Sequence, residues 1–469
     1  MIHVVSEEVT TMSAMKTDTA ADVTSVNIYE TSRATGESLR PAGSVAPETG
    51  AVQGLIRITL DASKRYQTII GFGGALTESS AVNYQMMNEG MRETFLRGYF
   101  STEGGHGYAF WRTHIHACDF SRGRYTYVDE GDVSLKSFSL DADRNTVLPL
   151  IKDAMAVADR PVSILASPWS PPAWMKSNGD MLRGGKLLPE HRQTWADYFV
   201  RYIESMGEEG IPIWGVTVQN EPDATQTWES CRYSAEEERD FVRDYLGPTL
   251  ERAGLGDVRI VIWDHNRDLL LDRATIAYQD AEASQYIWGA GFHWYCGDFF
   301  ENVQRLHDAY PEKHLIFTEG CQEGGPHTGA WELGERYGRS IINDLNRWCE
   351  GWLDWNILLD ETGGPNHVGN LCSAPILYDR NTGQMLYQSS YAYLGHFSRF
   401  IEPGAVRIGC DVSHADLLAT ACENPDGSLA VVVMNHGEYD LDYTLEWMGR
   451  SYEITAPARG IQTLVTGLS

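Results

Sequence analysis

Residues 314–320 read His314-Leu-Ile-Phe-Thr-Glu-Gly320, an apolar run that ends in a carboxylate and then a glycine. An earlier stretch has the same form and ends in Glu221; it reads Trp214-Gly-Val-Thr-Val-Gln-Asn-Glu-Pro222. Short, nearly continuous apolar runs are typical of strands that are buried on both faces of a parallel sheet. The two stretches therefore predict two buried strands, each with a glutamate at its carboxyl end.

Six further runs of this kind lie around these two, and helical patterns separate them. The eight runs are Ile69–Ala75, Tyr108–His116, Val162–Trp169, Trp214–Asn220, Val258–Asp264, Gly289–Tyr295, His314–Gly320 and Gly351–Ile357. A capping box, Ser234-Ala-Glu-Glu237, predicts the start of one intervening helix. Eight strands that each precede a helix predict a (β/α)₈ barrel, in which catalytic groups gather at the carboxyl ends of the strands. An open doubly wound sheet is the alternative, but the chain has neither a P-loop nor the full dinucleotide-binding spacing.

Alternating, strand-like segments flank the predicted barrel. Val23–Thr31 and Leu55–Leu60 precede it, and five short alternating segments follow residue 400. A closed barrel has no free edge to accept the early strands, so we expect them to join the late ones in a β-sandwich. The predicted division is an N-terminal segment 1–65 that contributes strands to the sandwich, a catalytic barrel 66–400 and a β-sandwich domain 401–469.

Charge and composition limit the partners of this 469-residue chain. Its formal net charge of −28 disfavours nucleic acid and anionic membrane surfaces. No run approaches the roughly 20 apolar residues of a membrane span, so no membrane insertion is expected. The eight cysteines form no C-x-x-C pair, and the first 20 residues lack the pattern of a secretory leader. These features predict a cytoplasmic protein without a metal or other cofactor.

The ends of the eight runs carry carboxylates, amides and aromatic rings. Glu221 and Glu319 end the fourth and seventh runs, and a pair of carboxylates is what glycosidic bond cleavage requires. Aromatic faces stack on sugar rings, while planar polar groups bind sugar hydroxyls. The other strand-end residues of this type include Asp119, Trp169, Asn220, His293, Tyr295 and Trp355. The pattern therefore favours a glycosidase that acts on a glycoside or an oligosaccharide.

Two alternatives compete with this interpretation. The first is a metal-dependent barrel hydrolase, because strand alternation would put His114 and His116 on one face, where they could bind a metal ion. The second is a carbohydrate-binding protein without catalytic activity. The presence of both glutamates argues against the second alternative.

Several of these segments together resemble glycoside hydrolase family 30, and in particular its glucosylceramidases. The matching motifs are Gly71-Phe-Gly-Gly-Ala-Leu-Thr-Glu78, Cys118-Asp-Phe-Ser121, Ala166-Ser-Pro-Trp169, Asn220-Glu-Pro222, His293-Trp-Tyr295, Thr318-Glu319, Gly363-Gly-Pro-Asn366 and Tyr393–Ile401. The resemblance implies a retaining β-glycosidase, of the β-glucosidase or glucosylceramidase type, that works by double displacement through a covalent glycosyl-enzyme intermediate. It also implies a barrel with an attached β-sandwich.

The same resemblance implies roles for individual residues. Glu221 corresponds to the acid/base and Glu319 to the nucleophile of the family, while Arg112 corresponds to an arginine that orients a carboxylate. Residues expected to contact the sugar are Asp119, Trp169, Asn220, Tyr295, Trp355 and Asn370, with His293 in support. We further expect the Glu319 carboxylate to raise the pKa of Glu221. The loops after the two glutamates, 223–233 and 321–331, depart from the glucosylceramidase pattern and would surround the leaving group.

Overall fold

The computed structural model describes residues 25–36, 38–48 and 55–466. The polar first 22 residues and Val23, the start of the first predicted strand, lie outside the described residues. Three strands precede the barrel: β1 (Val26–Ser32), β2 (Arg40–Val45) and β3 (Arg57–Thr68). The first residues of β1 and β3 alternate between buried and more exposed positions, as in a strand with one face packed on a core, whereas β2 is mostly exposed.

All eight predicted runs form strands of one closed, parallel barrel. The strands are β4 (Gly71–Ala75), β5 (Phe110–Ile115), β6 (Ser163–Pro168), β7 (Gly215–Thr217), β8 (Arg259–Asn266), β9 (Ile287–His293), β10 (His314–Glu319) and β11 (Gly351–Asn356). Each pairs with its chain neighbour, and β11 closes the ring on β4. The residues of β4, β5 and β11 are buried throughout, which is why these strands appear in the sequence as continuous runs rather than as alternation.

Helices between the strands cover the outside of the barrel. They are α1 (Glu78–Met86), α2 (Glu89–Phe100), α3 (Val147–Val157), α4 (Arg192–Glu208), α5 (Ala235–Phe241), α6 (Gly247–Arg252), α7 (Leu270–Tyr278), α8 (Ala281–Ser284), α9 (Phe300–Ala309), α10 (Trp331–Leu345) and α11 (Ser389–Ser398). The predicted capping box at Ser234 is present at the start of α5. In the part of the chain that the structure describes, no helix has the length and apolar composition needed to cross a membrane.

Two smaller sets of strands follow the barrel. A small sheet after the eighth barrel strand consists of β12 (Leu358–Asp360), β13 (Ile376–Asp379) and β14 (Gln384–Tyr387). The C-terminal strands are β15 (Val406–Val412), β16 (Leu417–Glu423), β17 (Leu429–Asn435), β18 (Leu441–Trp447), β19 (Arg450–Ala456) and β20 (Gly460–Thr466).

The N-terminal strands join these C-terminal strands, as the sequence predicted. Within the described residues, β1, β2 and β3 belong to one nine-stranded sheet with the order β19-β18-β3-β15-β16-β17-β20-β1-β2. β1 pairs with β20 and β3 pairs with β15, so the two ends of the chain are hydrogen-bonded to each other. The fold is therefore a (β/α)₈ barrel with an attached β-sandwich domain built from both ends of the chain.

Candidate active site

The residues predicted from the sequence meet at the carboxyl end of the barrel. A cavity of about 320 Å³ opens there, between Glu221, which follows β7, and Glu319, which ends β10. The cavity wall also contains the predicted sugar-contact residues Asp119, Trp169, Asn220, Tyr295, Trp355 and Asn370. Arg112 and His293 do not line the cavity; both are fully buried and contact the glutamates.

The two carboxylates lie close to each other across the cavity. One oxygen of Glu221 is within 4.8 Å of one oxygen of Glu319. Retaining glycosidases hold their two carboxyl groups about 5–5.5 Å apart, whereas inverting ones separate them by about 6.5–9.5 Å to leave space for water. The spacing therefore matches a retaining arrangement.

Glu319 is held as an oriented, buried carboxylate. Arg112 Nη1 donates to its Oε2 at 2.6 Å, and the Tyr295 hydroxyl donates to its Oε1 at 2.9 Å. The same guanidinium also donates to Asp264 at 2.8 Å and to Asn220 Oδ1 at 2.9 Å. Burial raises the pKa of Glu319, and although His293 and Arg112 oppose this effect, its pKa remains above the ordinary value.

Glu221 faces two imidazoles from the next two strands. His293 Nδ1 lies 3.2 Å from Glu221 Oε1, and His265 Nε2 lies 3.8 Å from the same oxygen. On its other side, His293 Nε2 lies 3.0 Å from Asp264 Oδ1. Burial lowers the pKa of His293, but the charges of Glu319, Asp264 and Glu221 outweigh it and raise that pKa to about 9.

The expectation of a raised pKa for Glu221 is wrong for the protein without substrate. Burial does raise the pKa of this carboxyl, but His265 and His293 outweigh it and leave the pKa below the ordinary value. The lowered pKa of Glu221 and the raised pKa of His293 together favour the proton on His293, at the other end of a 3.2 Å hydrogen bond. The two side chains hold that proton as a coupled pair.

An aromatic pair and a network of amides form the opposite wall. The rings of Trp169 and Trp355 stack with centroids 5.0 Å apart, and the Arg112 guanidinium lies over the Trp169 ring. Asn370 Nδ2 donates to Asp119 Oδ2 at 3.0 Å. Burial raises the pKa of Asp119 to about 7 despite this hydrogen bond. This wall combines apolar faces with carboxylate and amide groups, which is the chemistry that a sugar ring requires.

The geometry of His114 and His116 argues against the metal-dependent alternative. β5 ends at Ile115, and His116 turns away with a φ of 49°, so strand alternation does not continue through it. His114 Nδ1 donates to the His116 carbonyl, and His114 Nε2 accepts from the Glu78 amide. The His116 ring contacts the Tyr198 hydroxyl and the Ser170 carbonyl. All four ring nitrogens have partners within the protein, so neither ring has a nitrogen free for a metal ion.

A second group of residues has the side-chain types of a metal site; it consists of Glu221, His293 and Glu319. One ligand atom from each lies within 4.8 Å of the others. However, the Arg112 guanidinium already bonds Glu319 at 2.6 Å, and His293 has a raised pKa that favours its protonated form. With the protonated form of His293 favoured within the group and Arg112 bonded to Glu319, the two carboxylates are already paired with cations, so the group is poorly suited to a divalent metal ion.

Sequence reasoning missed the part of the cavity wall formed by His265 and by loop residues around the two glutamates. His265, Gln226, Trp228 and Glu323 line it, together with Cys296. His265 was visible only as the middle residue of Asp264-His-Asn266 at the end of the fifth run. Gln226, Trp228 and Glu323 lie in the loops after the two glutamates, and Cys296 lies in the loop after β9. No periodic pattern in these loops indicates which side chains face the cavity.

The fold and the site together define a class of protein. A (β/α)₈ barrel carries two facing glutamates at the ends of its fourth and seventh strands, in a cavity lined by tryptophans, carboxylates and amides. This combination is that of a glycoside hydrolase with a two-carboxylate site.

The chain belongs to glycosyl hydrolase family 30. Residues 69–401 match the TIM-barrel domain of that family, and residues 404–464 match its β-sandwich domain. Lysosomal acid glucosylceramidase of Mus musculus is 35% identical over 454 residues, which are 91% of this chain and 87% of the mouse protein.

Two solved structures are also similar over nearly their full length. The crystal structure of SrfJ from Salmonella typhimurium has a TM-score of 0.90 and 36% identity, and the match covers 94% of this chain and 99% of SrfJ. An endo-β1,6-glucanase has a TM-score of 0.86 and 31% identity, and the match covers 95% of this chain and 99% of the glucanase. The chain is accordingly a retaining β-glycoside hydrolase that acts on a glycoside or oligosaccharide.

Proposed function

We propose that Glu319 is the nucleophile and Glu221 the acid/base of a double displacement on β-linked glycosides. The observation that carries this assignment is the short separation of the two carboxylates, whose nearest oxygens lie within 4.8 Å. The contacts of each glutamate support its separate role. Glu319 is bonded by a cation and a hydroxyl, while Glu221 is next to an imidazole that can deliver a proton.

In the first step, Glu319 attacks the anomeric carbon and the bond to the leaving-group oxygen breaks. Arg112 and Tyr295 orient the attacking carboxylate. The proton shared by His293 and Glu221 moves onto Glu221 and then to the departing oxygen. Once Glu319 is esterified, its charge is lost, and Glu221 accepts a proton from the water that releases the sugar.

The sugar bound next to Glu319 would lie between the aromatic pair and the amide network. Asp119, Asn220 and Asn370 are the hydrogen-bonding groups we assign to its hydroxyls. Asn220 Oδ1 already accepts from Arg112, so its Nδ2 group is the one directed to the substrate. Trp169 and Trp355 provide the apolar surface.

The leaving group that the cavity favours is another sugar. Gln226, His265 and Glu323 place polar groups on this side, with Trp228 as the aromatic surface beside them. A ceramide would leave these polar groups without hydrogen-bond partners, which is costly. The similarity to the endo-β1,6-glucanase supports the same choice, so we propose a β-linked glucose oligosaccharide as substrate.

Covalent trapping tests the assignment of the nucleophile. An activated 2-deoxy-2-fluoro-β-glucoside should label the protein once, because the fluorine slows both formation and hydrolysis of the glycosyl-enzyme, while the activated leaving group restores the rate of formation only. Peptide mass spectrometry should locate the label on Glu319. Glu319→Gln should abolish labelling and hydrolysis of nitrophenyl β-D-glucoside, while the protein still unfolds cooperatively. A label on another residue, or inversion at the anomeric carbon by NMR, would overturn the proposal.

Substrate preference tests the nature of the leaving group. We expect kcat/KM for a β1,6-linked glucose disaccharide or trisaccharide to exceed that for glucosylceramide in detergent by at least about 100-fold, because only the sugar satisfies the polar rim. Trp228→Ala should lower the disaccharide rate and change the nitrophenyl glucoside rate much less. Equal rates on both natural substrates would contradict a saccharide leaving group.

The cellular location stays a prediction. All eight cysteines are unpaired, and those other than Cys296 and Cys410 are buried. Unpaired thiols suit a reducing compartment, which supports the cytoplasm. The net charge of −28 supports the prediction that nucleic acid is not a partner.

A further inference from the structure

A single imidazole joins two loops on the sugar side of the cavity. His367 lies in the loop after β12, and its Nδ1 lies 3.0 Å from the Asp119 carbonyl and 3.2 Å from the Ser121 carbonyl. Because both partners are carbonyl oxygens, Nδ1 carries a proton and donates it. His367 therefore fixes the main chain of the loop that carries Asp119.

The other nitrogen of this imidazole faces a buried carboxylate. His367 Nε2 lies 3.3 Å from Oε1 of Glu229, whose side chain is fully buried in the loop that follows Glu221. Among the described residues, neither oxygen of Glu229 makes a hydrogen bond of good geometry, and His367 is the basic side chain that contacts it. Burial lowers the pKa of His367, but Glu229 and then Asp119 outweigh it and raise that pKa. The raised pKa of His367 favours its protonated form next to Glu229.

The loop that carries His367 also fixes the side chain of Asp119. Asn370 Nδ2 donates to Asp119 Oδ2 at 3.0 Å, and Asn366 Nδ2 lies 3.3 Å from the same oxygen. Both the main chain and the side chain of Asp119 are thus held by residues 366–370. These residues are anchored in turn to the leaving-group loop through Glu229.

We propose that Glu229 and His367 are positioning residues that hold Asp119 and Asn370 in the geometry for sugar binding. This inference rests on the proposed function of the cavity. Neither residue lines the cavity, so the pair acts through Asp119 and Asn370. A buried ion pair rarely stabilises a fold more than apolar residues of the same volume do. Its presence behind a sugar-binding wall, with two unsatisfied carboxylate oxygens, therefore points to control of local geometry.

Kinetics in two backgrounds tests this inference. Glu229→Gln and His367→Gln should each lower kcat/KM for nitrophenyl β-D-glucoside by about 10-fold or more, because each leaves a buried polar group without its partner. In an Asp119→Ala background the same substitutions should cost less than about 3-fold, because the residue they position is gone. The double variant Glu229→Gln/His367→Gln should be no worse than the poorer single variant, since two neutral groups can again pair.

Two measurements separate a positioning role from a general loss of structure. All variants should unfold cooperatively, and His414→Gln, in the turn between β15 and β16, should keep wild-type kinetics. Full, multiplicative losses in the Asp119→Ala background would overturn the inference, as would single-variant losses below about 2-fold. Absence of turnover in the wild type would instead contradict the proposed function. In that case, the affinity for deoxynojirimycin, measured by calorimetry, still tests the roles of Glu229 and His367. Each single substitution should weaken this binding about 10-fold, and affinities equal to that of wild type would overturn the inference.

Discussion

At the scale of single residues, Arg112 organises the charges of the site. Its guanidinium is fully buried and contacts both Glu319 and Asp264. Asp264 then bonds His293, and His293 bonds Glu221. Arg112 and His293 outweigh burial and keep the pKa of Asp264 well below its usual range. A chain of alternating charges thus runs from Glu319 to Glu221, and each charge has a partner of opposite sign.

This chain predicts which group controls the alkaline side of the activity profile. The imidazole of His293 has a pKa of about 9 and shares its proton with Glu221. Activity on a substrate with a poor leaving group should therefore persist toward pH 9, because the pair keeps its proton until then. In His293→Gln, the alkaline limb of kcat/KM should move down by at least about one pH unit.

The leaving group provides the internal control for this prediction. The dinitrophenolate of a dinitrophenyl glycoside departs without protonation. The kcat/KM for this substrate should therefore show no comparable alkaline limb in wild type or in His293→Gln. An alkaline limb at the same pH in wild type and His293→Gln, measured on the poor leaving group, would mean that Glu221 holds its proton without His293.

At the scale of elements, strained backbone at the strand ends brings the side chains together. Glu221 has a φ of 48°, and Asp264 in β8 has a φ of 47°. The Glu221 amide donates to the Asp264 carbonyl at 3.0 Å, so each left-handed residue fixes the other. Such conformations cost about 1–3 kcal/mol each and persist where the surroundings enforce them. Here they direct Glu221 toward the two imidazoles.

The first barrel strand shows how tightly these elements approach. A Cβ atom at Gly73 in β4 would lie 1.7 Å from the Phe110 carbonyl oxygen of β5. Because that oxygen belongs to the backbone, Gly73→Ala should push β4 and β5 apart. β4 precedes Glu78, and β5 carries Arg112. We expect a fall in unfolding temperature of more than about 10 °C, or failure to fold, measured by calorimetry.

Gly207 in α4 is the matched control for this substitution. A Cβ atom there meets nothing within 4 Å, and alanine favours a helix over glycine by up to about 1 kcal/mol. Gly207→Ala should therefore leave the unfolding temperature unchanged or slightly raised. A wild-type unfolding temperature for Gly73→Ala would show that β4 and β5 can separate without cost.

The sequence predicted these elements better than it predicted the contacts between their ends. All eight barrel strands were visible because burial on both faces leaves a continuous apolar run. Glu221 and Glu319 were visible because each ends such a run. The contact of His265 with Glu221 depends on the left-handed backbone of Asp264, and the contact of His367 with Glu229 joins two distant loops. Neither contact leaves a local pattern, and the first is why the pKa of Glu221 was predicted with the wrong sign.

At the scale of the whole molecule, one buried imidazole connects the barrel to the nine-stranded sheet. His396 lies on α11, the last helix of the barrel. Its Nδ1 lies 2.8 Å from the Thr463 hydroxyl of β20, and its Nε2 lies 2.9 Å from the Thr31 hydroxyl of β1. These contacts join both ends of the chain to the barrel. Burial, followed by the nearby His106 and Arg399, lowers the pKa of His396 to about 3.

This lowered pKa predicts an acid-sensitive junction. In the unfolded chain a histidine binds a proton below about pH 6.5, whereas folded His396 stays neutral down to about pH 3. Between these values the unfolded state binds more protons, so the free energy of unfolding decreases as the pH falls. The contribution of His396 is at most about 1.4 kcal/mol per pH unit. It is therefore about 2 kcal/mol between pH 6.5 and pH 5.

The difference in the free energy of unfolding between wild type and His396→Gln isolates the contribution of His396 from that of the buried carboxyl groups, which titrate in the same pH range. Glutamine can keep hydrogen bonds to both threonines but does not titrate. His396→Gln should therefore lose stability relative to wild type at pH 7.5, and most of that deficit should disappear by pH 5, measured by urea unfolding. His327→Gln, at an exposed loop position, should differ from wild type by the same amount at both pH values. A deficit for His396→Gln that is equally large at pH 5 and pH 7.5 would mean that His396 is protonated in the folded protein. In that case the junction would be held by an imidazolium between the two threonines, and acid would not weaken it.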